Sequence, residues 1–191
     1  MKSTGLMGSI TLTVVLLAAI LVGCGWPAPQ SGGAAAPSRQ TGAGQVTLDA
    51  CALLARADVE AVLGAPVKEP AHGMENEGDA TTATISECHY DPGSESSTRS
   101  ATVFVRRSPA DDNTPAAIAS VRDTVKEMAG TDPQAVAGIG DTAFWGGRRA
   151  GLHVFKGPNW YLIISVDGFD DAIALVKAKT LAQKGLDRIG R

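Results

Sequence analysis

Between Gly25 and Val46 the chain runs for 22 residues with a single charge, Arg39. Gly, Ala, Pro, Ser and Gln make up most of this stretch. Such a composition offers almost no side chains that could line a core, so the segment reads as a flexible tether. A random coil of this length spans about 25 Å root-mean-square. The tether therefore divides the chain. Everything that folds must lie in a short N-terminal segment or in residues 47–191, and the latter suits one globular domain.

The N-terminal segment reads as an address. Lys2 provides a positive start, and Ile10 to Val22 is apolar over 13 residues except for Thr11 and Thr13. A membrane-spanning helix needs about 20 apolar residues. The run is too short for that and has the length of a secretory signal core. It ends in Leu21-Val22-Gly23-Cys24. This tetrapeptide resembles a bacterial lipobox. The resemblance implies a signal peptide over 1–23, a diacylglycerol on the Cys24 sulfur, cleavage before Cys24 and a further acyl chain on the new N-terminus. Two or three acyl chains hold a protein stably to a bilayer, where one chain binds only marginally. Gly25 follows the cysteine; an Asp there would resemble the inner-membrane retention signal of enteric bacteria. The expected location is the cell membrane or outer membrane, with the protein facing the periplasm or exterior. Residues 24–46 are then lipidated cysteine plus tether, and Trp26 beside the lipid suits the headgroup boundary.

Composition narrows the function classes. Seventeen Lys and Arg stand against 20 Asp and Glu, giving a net charge of −3, and 44% of residues are hydrophobic. A chain of this kind is not wholly disordered. A nucleic-acid binder carries a basic stripe, and none is visible.

Within the domain, Cys51 to Leu63 reads as a helix closed by Gly64 and Pro66. Val67 to Ala71 reads as a short strand, and Gly73 to Ala83 as an acidic polar loop. Thr84 to Tyr90 and Ser100 to Arg107 alternate as strands, with a turn at Pro92-Gly93-Ser94. Thr114 caps a second helix with Pro115 in its first turn and Gly130 at its end. Strands follow at Thr142 to Trp145, Gly151 to Lys156 and Trp160 to Val166, the last two joined by Gly157-Pro158-Asn159. The run Trp160-Tyr161-Leu162-Ile163-Ile164 is apolar on both faces, which predicts a central strand covered by helices. Asp170 to Ile189 is the last helix. Its predicted buried stripe is Leu175, Ala178, Ala182, Leu186 and Ile189, with Lys177, Lys184 and Arg188 opposite. The order α-β-β-β-α-β-β-β-α predicts an α+β domain: an antiparallel sheet of five to six strands with helices packed on one face.

With Cys24 lipidated, Cys51 and Cys88 remain as an even pair in an oxidising compartment, which predicts a disulfide. Closing a loop of about 38 residues stabilises by roughly 4 kcal/mol on the chain-entropy model. The rival reading is a thiol or metal site, suggested by the adjacent Cys88-His89. Neighbouring strand residues point to opposite faces, which opposes it.

Several segments together resemble known proteins. Asp49-Ala50-Cys51-Ala52-Leu53-Leu54 is followed by Asp58-Val59-Glu60-Ala61-Val62-Leu63-Gly64-Ala65-Pro66-Val67. Later come Cys88-His89-Tyr90, then Gly138-Ile139-Gly140-Asp141-Thr142-Ala143-Phe144-Trp145, then Leu152-His153-Val154-Phe155-Lys156-Gly157. The set is similar to bacterial envelope lipoproteins with a DUF3558-like domain, a group largely of unknown function, over most of residues 49–189. The resemblance implies fold and location. It carries no catalytic residue.

Motifs for chemistry are sparse. Gly138-x-Gly140 lacks the third glycine and following helix of a dinucleotide loop, and reads as a tight turn with Asp141 bonding nearby amides. Glu75, Glu77 and Asp79 alternate as in a calcium loop, but the twelfth position is Ser86. His72, His89 and His153 show no zinc spacing. No G-x-S-x-G elbow occurs. No metal, cofactor or catalytic residue is expected, and no nucleic acid.

Six of the eight domain aromatics lie between Phe144 and Phe169. Core packing of the hairpin accounts for most of them. Trp145, in a glycine-flanked loop with Arg148 and Arg149 behind it, is the candidate binding surface, since exposed aromatics and arginines mark interfaces. The expected function is a membrane-anchored, non-enzymatic lipoprotein presenting a binding or structural domain to an envelope protein or small ligand. The alternatives are an envelope hydrolase with an unrecognised site and an inhibitor of a secreted enzyme.

Overall fold

The computed structural model describes residues 48–189, which fall within one compact unit. The signal segment, Cys24 and the tether lie outside the described residues. The elements are α1 (Ala50–Leu53), α2 (Arg56–Leu63), β1 (Ala71–Glu77), β2 (Thr84–Tyr90), β3 (Ser100–Arg107), α3 (Pro115–Ala129), β4 (Gln134–Ala135), β5 (Thr142–Trp145), β6 (Leu152–Lys156), β7 (Trp160–Asp167) and α4 (Asp171–Ile189). The strands form one antiparallel sheet in the order β1-β2-β3-β7-β6-β5-β4. The α+β class is as the sequence reads.

β7 is the middle strand of the seven, as its two apolar faces predict. Leu162, Ile164 and Val166 face one side, where they join Val103, Val105, Leu152 and Val154 under α4. Tyr161 and Ile163 face the other side, against Phe144, Phe155, Phe104 and the α3 residues Ile118, Val121 and Val125. Helices thus cover both faces, not one. α1, α2 and α4 share a face and α3 lies alone on the other. The reason is in β6 and β7 themselves: apolar side chains on both faces need cover on both.

Other differences are local. The first helix is two, because Leu54 and Ala55 are extended. The Tyr90 hydroxyl donates to the Leu54 carbonyl at 2.6 Å and holds that break. Val67 makes only a lone bridge to Pro92, and the strand begins at Ala71, the end of the predicted one, and runs into the segment read as a loop. With β1 and the two-residue β4, the sheet has seven strands. Lys177, Lys184 and Arg188 do not face away from the core side of α4. They turn onto α1 and α2: Lys177 donates to the Val62 carbonyl, Arg188 to the Leu53 carbonyl, and both Lys184 and Arg188 to Asp58. Those two cations hold the Asp58 carboxyl below its ordinary range, Lys184 foremost. The stripe that α4 buries is Ala174, Ala178, Leu181, Ala182 and Gly185; all but Leu181 are small and let the helix lie close on the sheet.

Side chains and glycines cap the helices, Thr114 and Gly130 as the sequence reads. Asp49 accepts from the Cys51 and Ala52 amides at the head of α1. Thr114 accepts from the Ala117 amide at the head of α3. Gly130 closes α3 with φ +72°, a left-handed conformation that suits glycine.

Candidate functional site

The Cys51–Cys88 disulfide joins α1 to β2, with Cα atoms 5.1 Å apart. Cys88 is buried, while the neighbouring His89 turns to the other face, with its Nδ1 3.4 Å from the Thr102 hydroxyl. Asp49, Cys51 and His72 lie near one another, but the Cys51 sulfur is committed to the disulfide and Asp49 to its helix cap. The set does not offer three ligands. Glu75 and Glu77 lie on β1, and Glu75 is paired in register with Ser86 across the sheet. Asp79 instead accepts from the Thr81 hydroxyl and the Thr81 and Thr82 amides; Thr82, then Thr81, holds its carboxyl well below the usual range.

The loop between β5 and β6 is the candidate surface. Gly147 and Gly151 adopt φ +81°, and the Gly147 carbonyl accepts from the Ala150 and Gly151 amides. The turn is held by Asp171 at the start of α4. One carboxyl oxygen accepts from the Trp145 indole N–H at 3.0 Å, the other from the Arg148 amide at 3.2 Å. Arg148 also donates to the Phe169 carbonyl at 3.1 Å. Arg148 and Arg149 are exposed and line a shallow hollow of about 470 Å³ with Ala129, Thr131, Gly146, Gly147 and Asp167. Trp145 does not belong to that surface. It is 3% exposed and packs toward α4, because β5 alternation sends it to the large core and Asp171 satisfies its N–H. The tryptophan positions the loop and the arginines present it. Asp171 escaped the sequence reading; its only signal was an acidic pair opening the last helix.

Behind the loop lies a buried polar pair. His153 Nε2 faces the Ala150 carbonyl at 2.9 Å, and Nδ1 faces the Tyr161 hydroxyl at 2.6 Å. A carbonyl only accepts, so Nε2 carries the proton and Nδ1 accepts from tyrosine. Phe144 stacks on the imidazole with ring centres 5.0 Å apart. Burial pushes His153 down to about 4 and Tyr161 above its ordinary range. Both groups are held neutral and satisfied, a core pair under the loop. Phe144, Phe155 and Tyr161 are buried in the same cluster, so most of the aromatic clustering is hairpin packing.

Asp141 serves its turn as read: it accepts from the Gly157 amide at 2.6 Å and from Lys156 at 3.0 Å. The hollow's lining includes no cysteine, histidine or serine. Its two guanidinium groups and one carboxylate can hold polar or charged groups of a partner by hydrogen bonds. No family model, curated protein or solved structure matches the chain. No helix among the described residues is long and apolar enough to cross a membrane.

Proposed function

We propose that this chain is a bacterial envelope lipoprotein, anchored through acyl chains on Cys24, whose domain is a non-catalytic binding module. The observation that carries the reading is the Cys51–Cys88 disulfide. Disulfides persist in secreted and periplasmic proteins and are rare in the cytosol. With that pair bonded, Cys24 is the chain's remaining cysteine, and it stands where the lipobox-like tetrapeptide ends. The likeness to DUF3558-like lipoproteins points the same way. A binding role is supported by the Arg148–Arg149 hollow, whose exposed guanidinium groups stand on a loop fixed by Asp171 and Trp145.

The test is growth with labelled palmitate followed by membrane fractionation, comparing the native chain with Cys24→Ser. The native protein takes up label and sediments with membranes; the variant loses both. Label retained by the variant, or a native protein recovered from the cytosol with free thiols, overturns the reading.

A further inference from the structure

Charge is distributed unevenly over the domain. From Glu69 to Thr98 the chain carries seven carboxylates and no lysine or arginine. The other thirteen Asp and Glu share the rest of the described residues with fourteen of the seventeen Lys and Arg; Lys2, Arg39 and Arg191 lie outside them. All the net negative charge of the domain therefore sits in one thirty-residue segment.

The fold places that segment at one edge of the sheet. It comprises β1, the turn to β2, β2 itself and the loop toward β3. β1 is the terminal strand. Its inner side is paired with β2 and all seven of its residues are exposed. The opposite edge, β4, is only two residues long. The outward backbone groups of β1 are a template for an added strand. Glu75 and Glu77 stand on one face of it, in register with Ser86 and Thr84. Met74 is 59% exposed on the same strand. His72 meets Glu75 at 2.6 Å, but among the described residues Glu77, Asp79, Asp91 and Glu95 make no ion pair.

Gly73 adapts the strand to this position. The register slips between His72 and Glu75, and a Cβ at Gly73 would lie 2.4 Å from His89 Nε2 and 2.8 Å from Glu87 Oε2. A second copy of the chain is a poor occupant, since pairing like strands brings carboxylate against carboxylate. A cationic strand meets the edge with complementary charge.

We propose that β1 is a docking edge, to which an extended segment of a partner protein bearing lysine or arginine adds as an eighth strand. This rests on the binding-module reading above and specifies the partner's chemistry. Long-range attraction by the acidic edge steers such a segment in and makes its binding sensitive to salt.

The test uses the full chain in detergent micelles and a fluorescent peptide of alternating Lys and Val. Two controls accompany it: a Glu-Val peptide, and a peptide of the same positive charge with Pro in place of Val, which cannot complete strand pairing. The Lys-Val peptide is expected to bind, to weaken about tenfold or more between low and high salt, and to slow amide exchange in Ala71–Glu77. Both controls should bind about tenfold more weakly. In Glu75→Lys/Glu77→Lys the preference should reverse toward the Glu-Val peptide. These side chains are exposed, and unchanged amide protection in β7 confirms that the variant folds. No binding, equal binding of the Pro peptide, protection away from β1, or unchanged preference in the double variant each overturns the proposal. Palmitate labelling and membrane fractionation are unaffected by any of these outcomes, so failure here is separable from failure of the lipoprotein reading.

Discussion

His153 shows how much a single buried group can ask of its neighbours. It is 2% exposed, and its two ring nitrogens are matched to one acceptor and one donor. Removing the donor leaves Nδ1 unpaired in an apolar cluster, which costs about 1–3 kcal/mol. Tyr161→Phe should therefore lower the unfolding free energy read from urea melts by that amount, and an unchanged value would show that the bond is not made. The same burial sets a pH dependence. The unfolded histidine takes its proton near the ordinary value of 6.5, the folded one near 4. The unfolded state thus binds more protons between those values. Stability is full above about 6.5 and falls as the pH drops toward 4, by about 3 kcal/mol at most. His153→Phe should flatten that slope in melts recorded across the interval; a slope unchanged by the substitution assigns the effect to another group. Trp145 is the contrasting case. Sequence placed it near two arginines, and its glycine neighbours suggested exposure. Strand alternation, with the Asp171 carboxylate in reach of the indole, decides for burial instead.

Among the elements, stability is unevenly shared. α4 buries five residues on the sheet and is tied to α2 through Asp58. α3 buries only Val125, with Ile118 and Val121 partly covered. Local opening free energies follow burial, so α3 amides should exchange with solvent faster than those of α4. Hydrogen exchange read by mass spectrometry checks this, and equal protection of the two helices would contradict it. The disulfide has a separate role. It restricts the unfolded chain between α1 and β2, and Cys51→Ala/Cys88→Ala should cost up to about 4 kcal/mol, read as a drop in urea midpoint. A native protein whose midpoint ignores reductant would contradict that. Elements with a strong internal signal were legible: β2 and β3 from alternation, α3 from Thr114, Pro115 and Gly130, and the central place of β7 from its two apolar faces. β1 was hidden because an exposed edge strand has no apolar period to read. β4 was hidden by its length, and the side on which α3 packs depends on which strands it crosses, which no local pattern records.

The whole domain is a sheet covered by helices on both faces, and it carries two charged surfaces. One is the Arg148–Arg149 hollow, the other the acidic edge at β1. Neither surface depends on the other, since the loop is fixed by Asp171 and the edge by pairing with β2. Arg149→Ala, at an exposed position outside the core, should leave the melt unchanged while lowering crosslinking to any partner that uses the hollow; loss of stability would show the arginine to be structural. The site was only half legible, because arginine exposure follows from the turn but the role of Asp171 needs α4 brought against β5. The most direct measurement is the intact mass of the protein purified from membranes without reductant. The proposed lipoprotein begins at Cys24, carries the mass of a diacylglycerol with or without a further acyl chain, and lacks two hydrogens for the Cys51–Cys88 bond. A chain that still carries residues 1–23, or one with an unmodified Cys24 and two free thiols, would contradict it.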